Sequence, residues 1–285
     1  MNKILSVFVL ILCSALLLAC GSKKTEVTQK TDSTTSKKTD ESPKTKGQLA
    51  FANKELVKSY KNCVPETDSC SYIRLKYIEA SDGKAKDKIN AVIQKELLLA
   101  YDMPDQHYNT PQEMMDVFLR DYETTSKQMP KFRQDWAVDL NIEKFTETDR
   151  IICISCDFYS FLGGAHPTGL SAYFNFDKET GDTISLAKIF KPGFESRLNA
   201  LIDKKFREIN DLQPGDNLVE KGGLFDNVIR FNYNFAITKD SLTNEKGLLF
   251  LYNEYEIAPY AAGPIELDFT RVELADILAP DDYLK

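Results

Sequence analysis

One tryptophan and two histidines are all that 285 residues contain of those types. Scarce imidazole excludes much metal and triad chemistry. No H-x-x-x-H or H-E-x-x-H spacing occurs, and zinc hydrolases commonly draw on two or three histidines. The G-x-S-x-G elbow of α/β-hydrolases is missing, as are G-x-G-x-x-G, the phosphate-binding loop and the calcium loop. Nucleotide and calcium binding therefore have no support, and no cofactor is expected. Positive charge is also short, with 36 Lys and Arg against 43 Asp and Glu and a net charge of -7. An acidic balance argues against nucleic acid as a partner. It suits a cationic partner, although solubility alone accounts for it. Past the first twenty residues no apolar run is long enough to cross a bilayer, and no repeat of fixed period is present.

What is present starts with "MNKILSVFVLILCSALLLAC". A lysine, an apolar run from Ile4 to Leu12 and small residues near the end form the three parts of a secretory signal peptide, residues 1–19. Leu17-Leu18-Ala19-Cys20 resembles a lipobox, which makes Cys20 the expected lipid attachment site and the membrane a partner through that lipid. Gly21 stands where aspartate would, by enterobacterial rules, retain a lipoprotein at the inner membrane. The expected location is thus the cell envelope, at the outer membrane facing the periplasm. From residue 22 to 47 the only aliphatic side chain is Val27. Such a segment buries too little to offset the entropy of ordering, so residues 20–47 read as a lipidated cysteine and disordered tether.

Cys13 and Cys20 belong to the leader and its junction, leaving four cysteines. An exported chain permits disulfides, and Cys63 with Cys70, around "VPETDS", are the disulfide candidate for stapling a hairpin. "RIICISCDFYSF" reads as a strand, in which Cys153 and Cys156, three apart, point to opposite faces. A bulged local bridge and two buried thiols remain alternatives there. A zinc site of Cys153, Cys156 and His166 would lack a fourth ligand, and no metal is expected.

Alternation marks Leu49–Tyr60 and Cys70–Glu79 as paired strands. Helical spacing follows at Ile89, Val92, Ile93, Leu97 and Ala100. Thr110, Pro111 and Glu113 open a second helix with the pattern of a capping box, and it should end before Pro130. Strands are expected over "WAVDLNIEKF", "RIICISCDFYSFL", "SAYFNFD", "RFNYNFAIT", "GLLFLYNEYEI" and "GPIELDF". A helix is expected from Phe194 to Asn210, and a short one over "RVELADIL". The fold class is α+β with largely antiparallel sheets and a few packed helices. Residues 48–148 are expected as a smaller N-terminal α+β domain and 149–285 as a C-terminal one.

"FLGGAHPTG" then poses the functional question. Gly163 and Gly164 are free to take positive φ, while Pro167 pushes His166 toward an extended backbone. The plainer reading is a connection whose histidine bonds to backbone or a neighbouring side chain. The alternative is a recognition loop, with convergent N–H groups beside one imidazole. His107 sits in a polar loop and reads as a surface residue. Glu254 and Glu256 share a face of an expected strand, where acidic pairs are commonly solvated.

"YSFLGGAHPTGLSAYFNFDKETGDTISLAKIF" and "GLLFLYNEYEIAPYAAGPIELDF" resemble the RsiV-type extracellular domain family, known from a lysozyme-binding anti-sigma factor and found ahead of PdaC-type polysaccharide deacetylase domains. The matching positions are Gly163 to His166 and Tyr260, Ala261 and Gly263, within roughly residues 149 to 280. No cytoplasmic sigma-binding segment and no deacetylase domain accompany them. The resemblance implies a non-catalytic envelope module that binds a lysozyme-like protein or a peptidoglycan fragment. Gly163, Gly164, His166, Tyr255 and Tyr260 are the ligand-binding candidates, and none is assigned a catalytic role. The competing reading is an envelope hydrolase acting on glycan through His166 and nearby carboxylates.

Overall fold

The computed structural model describes residues 49–103, 106–132 and 134–285. The expected leader, Cys20 and the tether lie outside them. β1 (Ala50–Ser59) and β2 (Tyr72–Asp82) form an antiparallel hairpin, and Cys63 and Cys70 in its connection are disulfide-bonded with Cα atoms 6.2 Å apart. β2 next pairs in parallel with β3 (Ala137–Glu147). Parallel neighbours need a long crossover, and α1 (Lys86–Leu99) and α2 (Pro111–Gln128) supply it. β4 (Ile151–Phe161) and β5 (Thr168–Asp177) complete a five-stranded sheet in the order β1-β2-β3-β4-β5. The division expected at 148/149 falls in the turn between β3 and β4, which pair along their length; the sheet runs through it.

α1 and α2 cover one face of this sheet. Ile89, Ile93 and Leu97 of α1 join Met114, Met115 and Phe118 of α2 over Ile73, Leu75, Val138, Leu140, Ile152 and Ile154. The cap of α2 closes as its sequence requires: Thr110 Oγ1 accepts from the Glu113 N–H at 3.2 Å. The Glu113 carboxylate reaches back one residue further than a capping box, to the Asn109 N–H at 3.0 Å. The helix stops at Gln128, two residues short of Pro130.

A second sheet holds β6 (Phe235–Lys239), β7 (Lys246–Tyr252) and β8 (Ile265–Thr270), all antiparallel. Its core includes Leu198, Leu201, Ile202 and Phe206 of α4 (Glu195–Ile209), packed with Phe235, Ile237, Leu248, Phe250, Leu267 and Phe269. A single helical turn, α3 (Leu186–Ile189), leads into α4. The architecture is α+β with mainly antiparallel pairing. Three expectations from periodicity change. The "RVELADIL" segment is a run of turns rather than a helix; Phe231 and Tyr233 precede the strand expected to contain them; and β7 ends at Tyr252, which puts residues 254–256 in a turn.

β4 is buried on both faces. Ile152, Ile154 and Cys156 face the α1–α2 layer, whereas Cys153 packs against Ala236 and Leu249 of the second sheet. Both cysteines are free thiols. Pointing oppositely, they cannot bridge one another or share an ion, and burial pushes each thiol up to about 12.

Where β5 meets β6, asparagine side chains bridge the two sheets. The Asn175 amide donates to Phe235 O at 2.7 Å and accepts from the Ile237 N–H at 2.8 Å. Asn234 accepts from the Tyr173 N–H at 3.0 Å and donates to Ser171 O at 2.8 Å. A carboxamide carries one donor face and one acceptor face, so it can stand in for a neighbouring strand. Polar groups along the edges of β5 and β6 are thereby satisfied without a continuous ladder.

Candidate functional site

The same device builds the site. Asn253, just past β7, accepts from the Ser171 N–H at 2.7 Å and donates to Ser171 O at 3.1 Å. It pins the turn after β7 onto β5, four residues past the end of the β4–β5 loop. Glu256 closes this turn, its N–H donating to Asn253 O at 3.1 Å while its carboxylate accepts from the Asn253 N–H at 2.9 Å. Tyr255 is held inside it at φ 64°, a left-handed conformation that costs a bulky L-residue roughly 1–2 kcal/mol. A short helical turn, Tyr260–Ala262, follows, and Gly263 leaves it at φ 66°.

These constraints bring three rings together. His166 stacks on Tyr260 with centroids 4.4 Å apart and planes at 21°, and lies 6.1 Å from Tyr255 at 29°. Tyr255 and Tyr260 are themselves 5.7 Å apart. The Tyr255 hydroxyl is 3.2 Å from His166 Nε2, and His166 Nδ1 is 3.2 Å from Pro167 O. A neutral imidazole protonated on Nδ1 satisfies both contacts, donating to the carbonyl and accepting from the phenol. His166 is exposed, and Tyr255 retains 55 % of its surface to solvent. Ring faces clustered at the surface offer stacking and cation–π contacts to an arriving ligand.

Of the five ligand-binding candidates, His166, Tyr255 and Tyr260 meet, and Gly163 and Gly164 take the other flank of the loop. Both glycines have positive φ, 87° and 117°. The Gly164 N–H donates to Gln134 Oε1 at 2.8 Å, and Gln134 Nε2 donates back to Gly164 O at 3.4 Å. The loop backbone is thus tied to the segment entering β3 and has no spare N–H at Gly164. Gln134 and Asn253 were not singled out from the sequence. A lone amide in a loop carries no pattern, and each matters only through a partner 30 or 82 residues away.

Catalytic geometry is sparse around His166. Neither Glu254 nor Glu256 bonds to it, and the Glu256 carboxylate is occupied by Asn253 and, at 2.7 Å, by Asn232 Nδ2. In the turn the two glutamates no longer share a strand face. Tyr252, the last residue of β7, is 1 % exposed and donates to Arg230 O at 2.7 Å. Two larger depressions of about 480 Å³ lie elsewhere, one beside Thr238, Gly247 and Asp268 and one beside Phe51, Ile78 and Glu147, and His166 lines neither. His107 is exposed in the loop before α2.

Residues 187–271 match the family model "Protein of unknown function (DUF3298)", and residues 63–168 match "Deacetylase PdaC". The second match ends at the first residue of β5, and residues 169–186 fall in neither. His166 falls in the second of these matches and Tyr255 and Tyr260 in the first, so the ring cluster joins the two segments. None of the curated proteins matches the chain. Among solved structures, a DUF3298 family member from Bacteroides fragilis superposes with a TM-score of 0.66 at 17 % identity, covering 84 % of this chain and 96 % of that one. A DUF3298 family protein from Pseudomonas aeruginosa gives 0.57 at 18 % identity, covering 81 % and 95 %. At such identities the likeness establishes the α+β fold. The suggestion of a cell-envelope protein comes from the two family matches alone.

Proposed function

We propose that the chain is a non-catalytic, lipid-anchored binding protein of the cell envelope, attached through Cys20 at the outer membrane and facing the periplasm. Its recognition surface is the His166–Tyr260–Tyr255 cluster, and its ligands are lysozyme-like proteins or cell-wall glycan. The exposed stack carries this reading, because one aromatic sits in a costly backbone conformation at a surface where packing does not demand it. The hydrolase reading lacks a carboxylate on His166 and a cleft around it. Both kinds of ligand suit the surface: rings take sugar faces, and an acidic protein with open tyrosines takes a cationic protein.

Calorimetric titration of the full chain in a sugar-free detergent, with hen egg-white lysozyme and with soluble peptidoglycan fragments, tests it. The expected result is saturable heat with at least one ligand that persists at moderate salt and weakens at least tenfold in Tyr260→Ala. Heat that vanishes with salt, heat indifferent to Tyr260→Ala, or no heat with either ligand overturns the proposal.

A further inference from the structure

On the flank of the loop facing away from the three rings lies a recess of about 220 Å³. Its walls come from the last turns of α2 (Thr125, Ser126), from Met129, Gln134 and Trp136, and from Leu162 with the glycine pair. No described lining residue is charged, although the protein as a whole is strongly so. An ion-pairing ligand finds no partner among these described walls. What the walls present is apolar surface from Trp136, Met129 and Leu162, beside hydroxyls from Thr125 and Ser126.

Trp136 decides the ligand class. Its ring is fixed from behind by Phe118 and Tyr122, with centroids at 6.0 and 5.7 Å. Its Nε1 lies beside Gly163, 3.7 Å from where a Cβ would stand on that residue. Among the described residues no acceptor lies on this N–H. A rigid donor beside the glycine, an apolar ring, two hydroxyls and no charge match a ligand that is neutral, carries hydroxyls, and has one apolar face.

We propose that this recess binds one neutral pyranose unit of an oligosaccharide, so that the loop 162–167 is gripped by glycan on one flank while the three rings engage it on the other. The inference rests on the binding role proposed above and selects glycan from its two ligand classes. Leu162 and His166 are four residues apart on one loop, close enough for successive sugars of one chain to reach both flanks.

Trp136 is the only tryptophan in the protein, so fluorescence excited to the red of tyrosine absorption reports on the recess alone. The full chain in sugar-free detergent is titrated with cellotetraose and, separately, chitotetraose. A saturable fluorescence change is expected with at least one of them; response to chitotetraose alone identifies an acetamido-sugar subsite, and response to both a subsite for the pyranose face. Ser126→Phe, which fills the recess from a partly exposed helix position, should weaken the response at least tenfold without moving the thermal midpoint. Trp136→Phe, read by calorimetry, should weaken binding through the lost N–H. A silent tryptophan, with lysozyme or peptidoglycan still binding in a Tyr260-dependent way, overturns the recess and leaves the ring surface standing. Silence in every titration overturns both. A fluorescence change indifferent to Ser126→Phe also overturns the recess.

Discussion

Tyr255 shows how much at this site is decided by single residues. An aromatic held at positive φ stays there because Asn253 and Glu256 over-determine its turn, and His166 then has a ring and a hydroxyl to meet. Glu96 shows the opposite situation, a carboxylate with little to meet. It sits on α1 near Cys156 against Ile142, Ile154 and Phe174, and burial pushes its pKa above the usual carboxylate range, with Lys95 only partly opposing. A raised carboxylate pKa favours folding while the group is protonated, and that contribution is lost as pH rises through the folded-state value. Glu96→Gln should therefore raise the thermal midpoint at neutral pH, and the difference should shrink as pH falls into the carboxylate range. Thermal melts across pH check this; a difference that is constant with pH sinks it.

At the scale of elements, the junction between the sheets rests on a few side chains rather than on a ladder. Asn175 is 4 % exposed and serves both Phe235 O and the Ile237 N–H. Truncation leaves a buried donor and a buried acceptor of β6 unpaired, each costing about 1–3 kcal/mol. Asn175→Ala should lower the unfolding free energy by about 2 kcal/mol or more, measured by urea denaturation. Val57→Ala, at an exposed position on edge strand β1, is the control and should change it by less than about 1 kcal/mol. Equal effects of the two would mean that the asparagine junction contributes nothing particular.

For the whole molecule, the question is where the folded part is held. No helix among the described residues is long and apolar enough to cross a membrane, and the proposed attachment is through a lipid on Cys20. Covalent acyl chains bind a bilayer by roughly 0.8 kcal/mol per buried CH₂, and two signals hold a protein stably. Cys20→Ser should abolish incorporation of labelled palmitate and move the protein out of the membrane fraction. The fold should be untouched, with the same thermal midpoint as the parent chain. Palmitate labelling that survives the substitution would rule out Cys20 as the attachment point.

Much of this protein is local, and what is local was legible. The period of Ile89, Ile93 and Leu97 encodes α1; Thr110, Pro111 and Glu113 encode the start of α2; alternation encodes β2 and β3; the polar turn around Pro65 encodes the stapled hairpin. Each signal lies within one or two turns of chain, where backbone sterics and amphipathic burial suffice. Legibility fails where long-range packing overrides propensity: "RFNYN" alternates like a strand but lies before β6, and "RVELADIL" has helical spacing but folds as turns. The site was half legible. The unusual "GGAHP" composition marked the loop and its resemblance marked Tyr260, so the sequence by itself determined the elements, the α+β class and the residues worth testing. Only the tertiary structure decided that His166 meets Tyr255 and Tyr260 while the glycines turn toward Trp136, because that division is made by Gln134 and Asn253 across 30 and 82 residues. Hydrogen bonds of such separation leave no periodic trace in a chain, and they form only once both sheets are in place.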